Sequence, residues 1–335
     1  MSSRSAALLA SCLVASACGG GTTDPSPVDP ATADLTVVAF YDENGNGLLD
    51  LSEGVRLPGI SVVAAGRNGQ TAGSGEVRFD ALPTGSQSVS VEPGSLPPFY
   101  APPGPLSVTL PRSGPLNLPV TLPIGGNEPN TYLAFGDSVT EGFRSEDGRG
   151  WVGRLDEMLG AHFGEATVIN DGLAATRTID AAARIGASLG AYAPAYTLIF
   201  YGVNDYNEPD CRRNPPCYTI DSLRSVVRDV IAAESLPFIA TITPSNTGFD
   251  FRTPPFRNQL VALQSELIRE LAAEEGAVLV DLEEAFLAYG APQDSGLLFD
   301  HVHPNDTGYQ VIADTFFEAI VHGAVPAAAS RPGRR

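Results

Sequence analysis

"YLAFGDSVTEG", residues 132–142, decides how the larger part of this chain is read. The apolar run Tyr132-Leu133-Ala134-Phe135 reads as a buried strand, and Gly136-Asp137-Ser138 breaks it into a turn. The serine elbow G-x-S-x-G is not met, because Thr140 stands where the second glycine belongs. Ser138 is either a turn residue or a nucleophile of another kind. The decision rests on whether a base and oxyanion donors stand at neighbouring strand ends.

Strand and helix patterns alternate from residue 129 to 324. "TYLAFG", "ATVIND", "YTLIFYG", "PFIATIT" and "AVLVD" read as strands. The stretches between and after them, such as "WVGRLDEMLGAHF", "TIDAAARIGASLG", "IDSLRSVVRDVIAAE" and "TGYQVIADTFFEAIVHG", carry helical spacing. Alternation of this kind predicts an α/β fold with a mainly parallel sheet and helices on both faces. Such sheets hold their sites at the carboxyl ends of the strands. There the sequence offers Ser138, Gly172 in "NDGLAATRT", Asn204 in "YGVNDYN", and Asp300 with His303 in "FDHVHPND".

The base is sought among four histidines. His162 and His322 fall late in helices, as surface or capping residues. His303 follows Asp300 by one turn of chain, so the carboxylate can hold Nδ1 and leave Nε2 free for the Ser138 proton. His301 is the rival, but beside Asp300 it projects in another direction. The Ser138 N–H, the Gly172 N–H and the Asn204 side-chain amide are the expected oxyanion donors.

Gly136-Asp137-Ser138, Gly172, Gly202-Val203-Asn204-Asp205 and Asp300-His301-Val302-His303, in this order, resemble the blocks of the SGNH, or GDSL, hydrolase family. The resemblance implies a flavodoxin-like three-layer α/β/α domain and ester hydrolysis through an acyl-enzyme. It makes Ser138 nucleophile and donor, Gly172 and Asn204 donors, His303 base and Asp300 its orienting partner, with no cofactor for catalysis. Asp137 reads as structural. "NEPDCRRNPPCYTID", residues 207–221, reads as an insertion beside the site, stapled by a Cys211–Cys217 disulfide. "SEDGRGW", residues 145–151, forms the other wall, with Trp151 a candidate contact. No long apolar lid is visible. Short-chain acyl or acetyl esters are therefore expected, of small molecules or of glycans. The reading from another class is a surface glycan-binding or adhesion lipoprotein on a passive hydrolase fold.

Residues 33–124 are rich in Val, Pro, Gly and Ser, with short apolar runs between turns, and predict a small all-β sandwich. "DENGNGLLDLSE", residues 42–53, matches D-x-[DN]-x-[DN]-G-x5-E. It offers oxygens from Asp42, Asn44, Asn46, the Leu48 carbonyl, Asp50 and Glu53, a set that suits Ca²⁺ in a structural role. Strand-like flanks exclude a paired-helix sensor. The stretch resembles the B-type repeat domains of bacterial surface adhesins, which carry such a loop. The α/β part is expected to stay soluble and active on small esters without residues 1–125.

Residues 1–18 read as a signal peptide of lipoprotein type, with Arg4, an apolar stretch and Cys18 as the lipidated residue. Cys12 is the alternative. Residues 19–32 read as a flexible tether and residues 325–335 as a disordered tail. Export to the cell envelope as a lipoprotein, or secretion, follows. A net charge of −19 leaves no basic face for nucleic acid, so membrane contact is expected only through the lipid. The protein is expected to be a monomer.

Overall fold

The structure, a computed structural model, describes residues 31–249, 257–292 and 296–323. The expected signal peptide with Cys12 and Cys18, the expected tether up to residue 30 and the expected tail lie outside the described residues.

Period-two alternation sets the first strands. β1 (Thr32–Tyr41), β2 (Ser61–Ala64), β3 (Arg67–Gln70), β4 (Glu76–Pro83), β5 (Gly85–Val91), β6 (Leu106–Leu110) and β7 (Leu116–Val120) form two sheets. β1 lies between β4, antiparallel, and β7, parallel. The other sheet is antiparallel in the order β3-β2-β5-β6. In β4 the side chains of Val77, Phe79 and Leu82 turn inward while Glu76, Arg78 and Asp80 face solvent. Inward residues of both sheets, among them Val37, Val62, Phe79, Val89 and Leu118, share one buried cluster. Asp42–Glu53 follows β1 directly and carries no helix.

After residue 127 the strands are nearly continuous apolar runs, as a sheet covered on both faces requires. β8 (Glu128–Gly136), β9 (Thr167–Gly172), β10 (Pro194–Phe200), β11 (Leu236–Ala240) and β12 (Val278–Val280) form one parallel sheet in the order β9-β8-β10-β11-β12. Every residue of the central β10 is buried. The order is flavodoxin-like, with its topological switch point between β8 and β10. The helices are α1 (Ser138–Glu141), α2 (Gly150–Phe163), α3 (Thr178–Tyr192), α4 (Pro209–Arg213), α5 (Thr219–Ala232), α6 (Arg257–Glu275), α7 (Leu282–Ala288) and α8 (Asp306–His322). Trp151 and Leu155 of α2 and Phe316 of α8 pack with Tyr132 and Ala134 on one face. Ile185 of α3, Val226 of α5 and Ile268 of α6 pack with Leu133 and Phe135 on the other. The chain thus has a three-layer α/β/α part preceded by a small all-β part.

Two boundaries differ from the sequence reading. α7 was not anticipated; Asp281 starts it by accepting the Glu284 N–H at 3.2 Å. The last helix, whose expected stretch began at Thr307, starts one residue earlier at Asp306 under an Asn305 cap, just after Pro304 bridges Leu298.

The two parts do not have separate cores. Tyr132 stacks on Tyr196 with ring centroids 4.4 Å apart, and Phe238 lies 6.2 Å from Tyr196. The β part shares in covering this stretch of sheet face: Phe99 meets Phe238 edge-on at 5.8 Å. Phe99 follows Pro97 and Pro98 and holds φ at 69°, a strained conformation for a side chain of that size. Insertion of its ring offsets that strain. The Arg56 N–H also donates to Phe163 O at 3.0 Å, and Asn130 Nδ2 to Glu43 Oε1 at 2.7 Å. A fragment starting at Asn127 would bare Tyr132, Tyr196 and Phe238. It is expected to aggregate where the longer chain stays soluble, as size-exclusion chromatography of the two will show; a monodisperse, cooperatively melting fragment would mean that the shared core is dispensable.

Candidate active site

The site begins where β8 ends. Asp137 caps α1, its Oδ1 accepting the Val139 N–H at 3.0 Å. Ser138 is the first residue of that helix and is almost wholly buried. Its Oγ lies 3.1 Å from His303 Nε2. His303 Nδ1 lies 2.8 Å from Asp300 Oδ2. A carboxylate only accepts, so Nδ1 carries the proton and the Nε2 lone pair faces the Ser138 hydroxyl. The arrangement can take a proton from Ser138 and hold the resulting imidazolium against a fixed negative charge.

Asp300 is held in place by two backbone donors, the N–H groups of Val302 at 3.0 Å and His303 at 2.8 Å. Burial works to raise its pKa, but the bonds from the His303 ring and the two N–H groups outweigh burial and hold it well below the usual carboxylate range. His301 does not take this place: its Nδ1 lies 3.6 Å from Asp300 Oδ1. Its carbonyl accepts the Asn246 N–H at 3.0 Å, which ties the loop after β11 to this turn. His162 is tucked against Phe163 and Phe317, and His322 is exposed beside Glu318.

Asn204 Nδ2 donates to Thr176 O at 2.9 Å and lies 3.4 Å from Asp137 Oδ2. It therefore sits between the turn of Ser138 and the loop after β9. Gly172 departs from expectation. Its N–H donates to Asn170 Oδ1 at 3.0 Å, so that donor is already engaged. A Cβ on Gly172 would lie 2.6 Å from Glu141 Cα, so glycine is needed there for the close approach of α1. The loop's tip is Ala175, exposed, with φ at 63°. Among the described residues neither the Ala175 N–H nor the Ser138 N–H meets an acceptor. Sequence reasoning took the Gly172 N–H as the donor from this loop, and the unengaged N–H at its tip belongs to Ala175.

Trp151 is not a wall of the site. It is fully buried and stacked on Phe316 at 4.5 Å. The exposed aromatic beside the base is Phe143, whose ring centroid is 4.7 Å from that of His303. The Arg144 guanidinium lies over Phe143 and Phe299, at 4.7 and 5.0 Å. Both residues directly follow the stretch 132–142 and were not singled out from the sequence. Cys211 and Cys217 are joined by a disulfide between α4 and α5.

Two buried acids beside Ser138 and Asn204 play different parts. Asp205 accepts from the Thr178 N–H, Thr178 Oγ1 and Thr219 Oγ1 at 3.0, 2.6 and 2.7 Å, and so ties α3 to α5. Burial pushes Asp137 up to about 7, against the opposing pull of the Val139 N–H and the His303 charge. An unfolded aspartate titrates near ~3.9. Between these values the folded protein holds a proton that the unfolded chain lacks, so stability falls as pH rises through that window. Asp137→Asn is expected to lack this loss. Its melting temperature relative to the parent should climb from pH 4 to pH 7.5; a constant difference would show that Asp137 does not titrate as described.

In the calcium-type loop, Asp42 and Glu53 are buried, at 4% and 2% exposure, and among the described residues neither has an ion-pair partner. Asp42 accepts the Asn46 and Gly47 N–H groups, Glu53 those of Glu43 and Asp50. Asp50 Oδ2 accepts from the side chains of Asn44 and Asn46, at 2.9 and 2.7 Å, and Leu48 is exposed. No group of three or more His, Cys, Asp or Glu is placed to share an ion among the described residues. The further oxygens of such a shell would come from Asn side chains and the backbone. Two buried, unpaired carboxylates in an all-oxygen loop fit a hard cation.

No curated protein matches this chain. Among solved structures it is similar to a catalytic mutant of Axe2, an acetylxylan esterase from Geobacillus stearothermophilus, with 21% identity over 58% of this chain and 95% of that one, TM-score 0.49. It is also similar to the lipase/acylhydrolase from Enterococcus faecalis, at 23% over 57% and 95%, TM-score 0.48. A member of the lipolytic protein G-D-S-L family from Veillonella parvula DSM 2008 shares 21% over 56% and 96%, TM-score 0.46. The pattern of the GDSL-like Lipase/Acylhydrolase family runs through residues 134–311, more than half of the chain, and the protein belongs to that family of carboxylic ester hydrolases.

Proposed function

We propose that this protein is an exported serine esterase that cleaves short-chain acyl or acetyl esters, of small molecules or glycans, through an acyl-enzyme. The observation that carries the reading is the unbroken chain from Ser138 Oγ to His303 to Asp300, at 3.1 and 2.8 Å, at the switch point of the parallel sheet. Ser138 attacks the ester carbonyl while His303 Nε2 takes its proton, and Asp300 holds the imidazolium. The Ser138 N–H and the Asn204 amide stabilise the oxyanion. The Ala175 N–H, unengaged at the loop tip, serves as third donor in the place first expected of Gly172. His303 then protonates the departing alcohol and activates water for deacylation. The His303 and Asp300 side chains are 17% and 25% exposed, and such an open site suits a small acyl group on a bulky alcohol. Residues 1–18 supply export, with Cys18 or Cys12 as lipid anchor, and a disulfide at Cys211–Cys217 accords with an oxidising compartment. The working unit is a monomer.

The test is hydrolysis of p-nitrophenyl acetate, butyrate and octanoate by the chain from Thr22 onward. Ser138→Ala and His303→Ala should each reduce turnover by at least ~10³-fold. Asn204→Ala should lower kcat by ~10²–10³ with little change in KM. Rates in Ser138→Ala equal to the parent's would sink the mechanism.

The loop at Asp42, Asn44, Asn46, Leu48, Asp50 and Glu53 is read as a structural Ca²⁺ site. Its Glu43 holds Asn130 of β8, so an ion there would brace the junction of the two parts. A ligand bound only by the folded state stabilises it, by about 2.7 kcal/mol at a hundredfold excess over Kd. Calcium should therefore raise the melting temperature of the parent and leave that of Glu53→Gln unchanged; an equal response of both proteins would remove the site.

A further inference from the structure

Arg184 has no part in the acyl-transfer steps, yet its guanidinium spans the three strand ends that carry the site. It projects from α3 with its side chain 19% exposed. Nη2 donates to Gly136 O at 3.2 Å and to Asp171 O. Nη1 donates to Asp171 Oδ2 and Nε to Tyr201 Oη, each at 3.0 Å. The guanidinium carbon stands 4.1 Å from the centre of the Phe135 ring. Gly136 closes β8 two residues before Ser138. Asp171 is the penultimate residue of β9, just before the loop that holds Ala175, and Tyr201 follows β10 three residues before Asn204.

The contacts continue into the donors themselves. Tyr201 Oη lies 3.1 Å from Thr176 Oγ1, and Thr176 O accepts Asn204 Nδ2 at 2.9 Å. One cation thus fixes the spacing of the segments bearing the Ser138 N–H, the Ala175 N–H and the Asn204 amide. Donors stabilise an oxyanion only if their geometry is set in advance, and a displacement of ~1 Å can cost ~10² in rate. We propose that Arg184 is the positioning residue of the oxyanion hole, acting through Gly136, Asp171 and the Tyr201–Thr176 pair. The inference rests on the esterase reading above. Lysine cannot replace it, because a point charge with three donors cannot serve a fork of four acceptors and stack on a ring.

The experiment compares the parent, Arg184→Lys and Tyr201→Phe, each as the full exported chain. p-Nitrophenyl acetate serves as substrate and an alkyl trifluoromethyl ketone as a reversible tetrahedral mimic. Arg184→Lys is expected to lose ~10–100-fold in kcat with KM within about twofold. The Ki of the ketone should rise by the same factor as kcat/KM falls. Tyr201→Phe should show the same pattern, smaller. A structural role alone would lower the melting temperature and the active fraction while the ketone Ki of the surviving enzyme stayed at the parent value; that result overturns the proposal. If Arg184→Lys does not fold, Tyr201→Phe decides, and an unchanged kcat and Ki there count against it. Failure of the esterase reading would look different, since the parent itself would then show no Ser138-dependent turnover.

Discussion

Three strand ends meet so closely at Gly136 that no side chain fits there. A Cβ at that position would lie 2.7 Å from Phe200 O and would collide with Thr140. The glycine lets β8 run against β10 at full hydrogen-bonding distance up to its last residue, where Gly136 pairs with Phe200. It lets the chain turn at once into α1, which brings Ser138 over the sheet edge. The same crowding recurs one strand away, where Gly172 meets the backbone at Glu141. With no room for side chains, backbone carbonyls face the gap: Gly136 O accepts the Leu173 N–H at 3.0 Å and Arg184 as well, and Arg184 also donates to Asp171 O. The architecture of the site is thus a consequence of backbone approach, and its side chains fill the positions that this approach leaves.

Close approach needs a rigid sheet beneath it, and here the β part contributes. Helices α2 and α8 pack on one sheet face, and Phe99 of the β part adds its ring to the same face at Phe238, beside the stacked Tyr132 and Tyr196. Burying an aromatic ring contributes about 1.5–3 kcal/mol, and this patch contains several. The parent's net charge of −19 adds self-repulsion that such burial must outweigh. The β part therefore belongs to the stability of the hydrolase sheet.

Much of this was legible in the sequence because periodicity is local. The strand "YTLIFYG" and the helix "IDSLRSVVRDVIAAE" reappear within a residue or two of their expected bounds as β10 and α5. Ser138, Asn204, Asp300 and His303 were singled out because parallel sheets concentrate chemistry at strand ends, and the fold places Ser138 with His303 and Asp300, and Asn204 beside Asp137. What was missed depends on contacts, which spacing does not encode. Trp151 sits in a polar-looking stretch but turns inward onto Phe316. Gly172 was read for its N–H, which the structure engages with Asn170, whereas the fold depends on its lack of a side chain. Ala175 adopts the left-handed conformation that composition would reserve for glycine. The union of the two cores was invisible because period-two alternation says that a face is buried, and not what buries it.

The electrostatics of the site follow from where its two carboxylates lie. Asp300 is charged because N–H donors and the His303 ring stabilise its ionised form more than burial opposes it. Asp137 is nearly sealed beneath Ser138, and burial pushes it up to about 7. Environments that drive neighbouring acids apart assign them separate parts. In the proposed reaction a positive charge grows on His303, and Asp300 meets it with a fixed negative one. On the other side of the serine a negative charge grows beside Asn204, whose Nδ2 lies 3.4 Å from Asp137 Oδ2. An ionised Asp137 would oppose that charge and would compete for the amide that must stabilise it. A protonated Asp137 does neither. In the proposed reaction, burial of this one carboxyl therefore keeps the oxyanion side of Ser138 free of a competing full charge at acidic pH, while the base side retains its own.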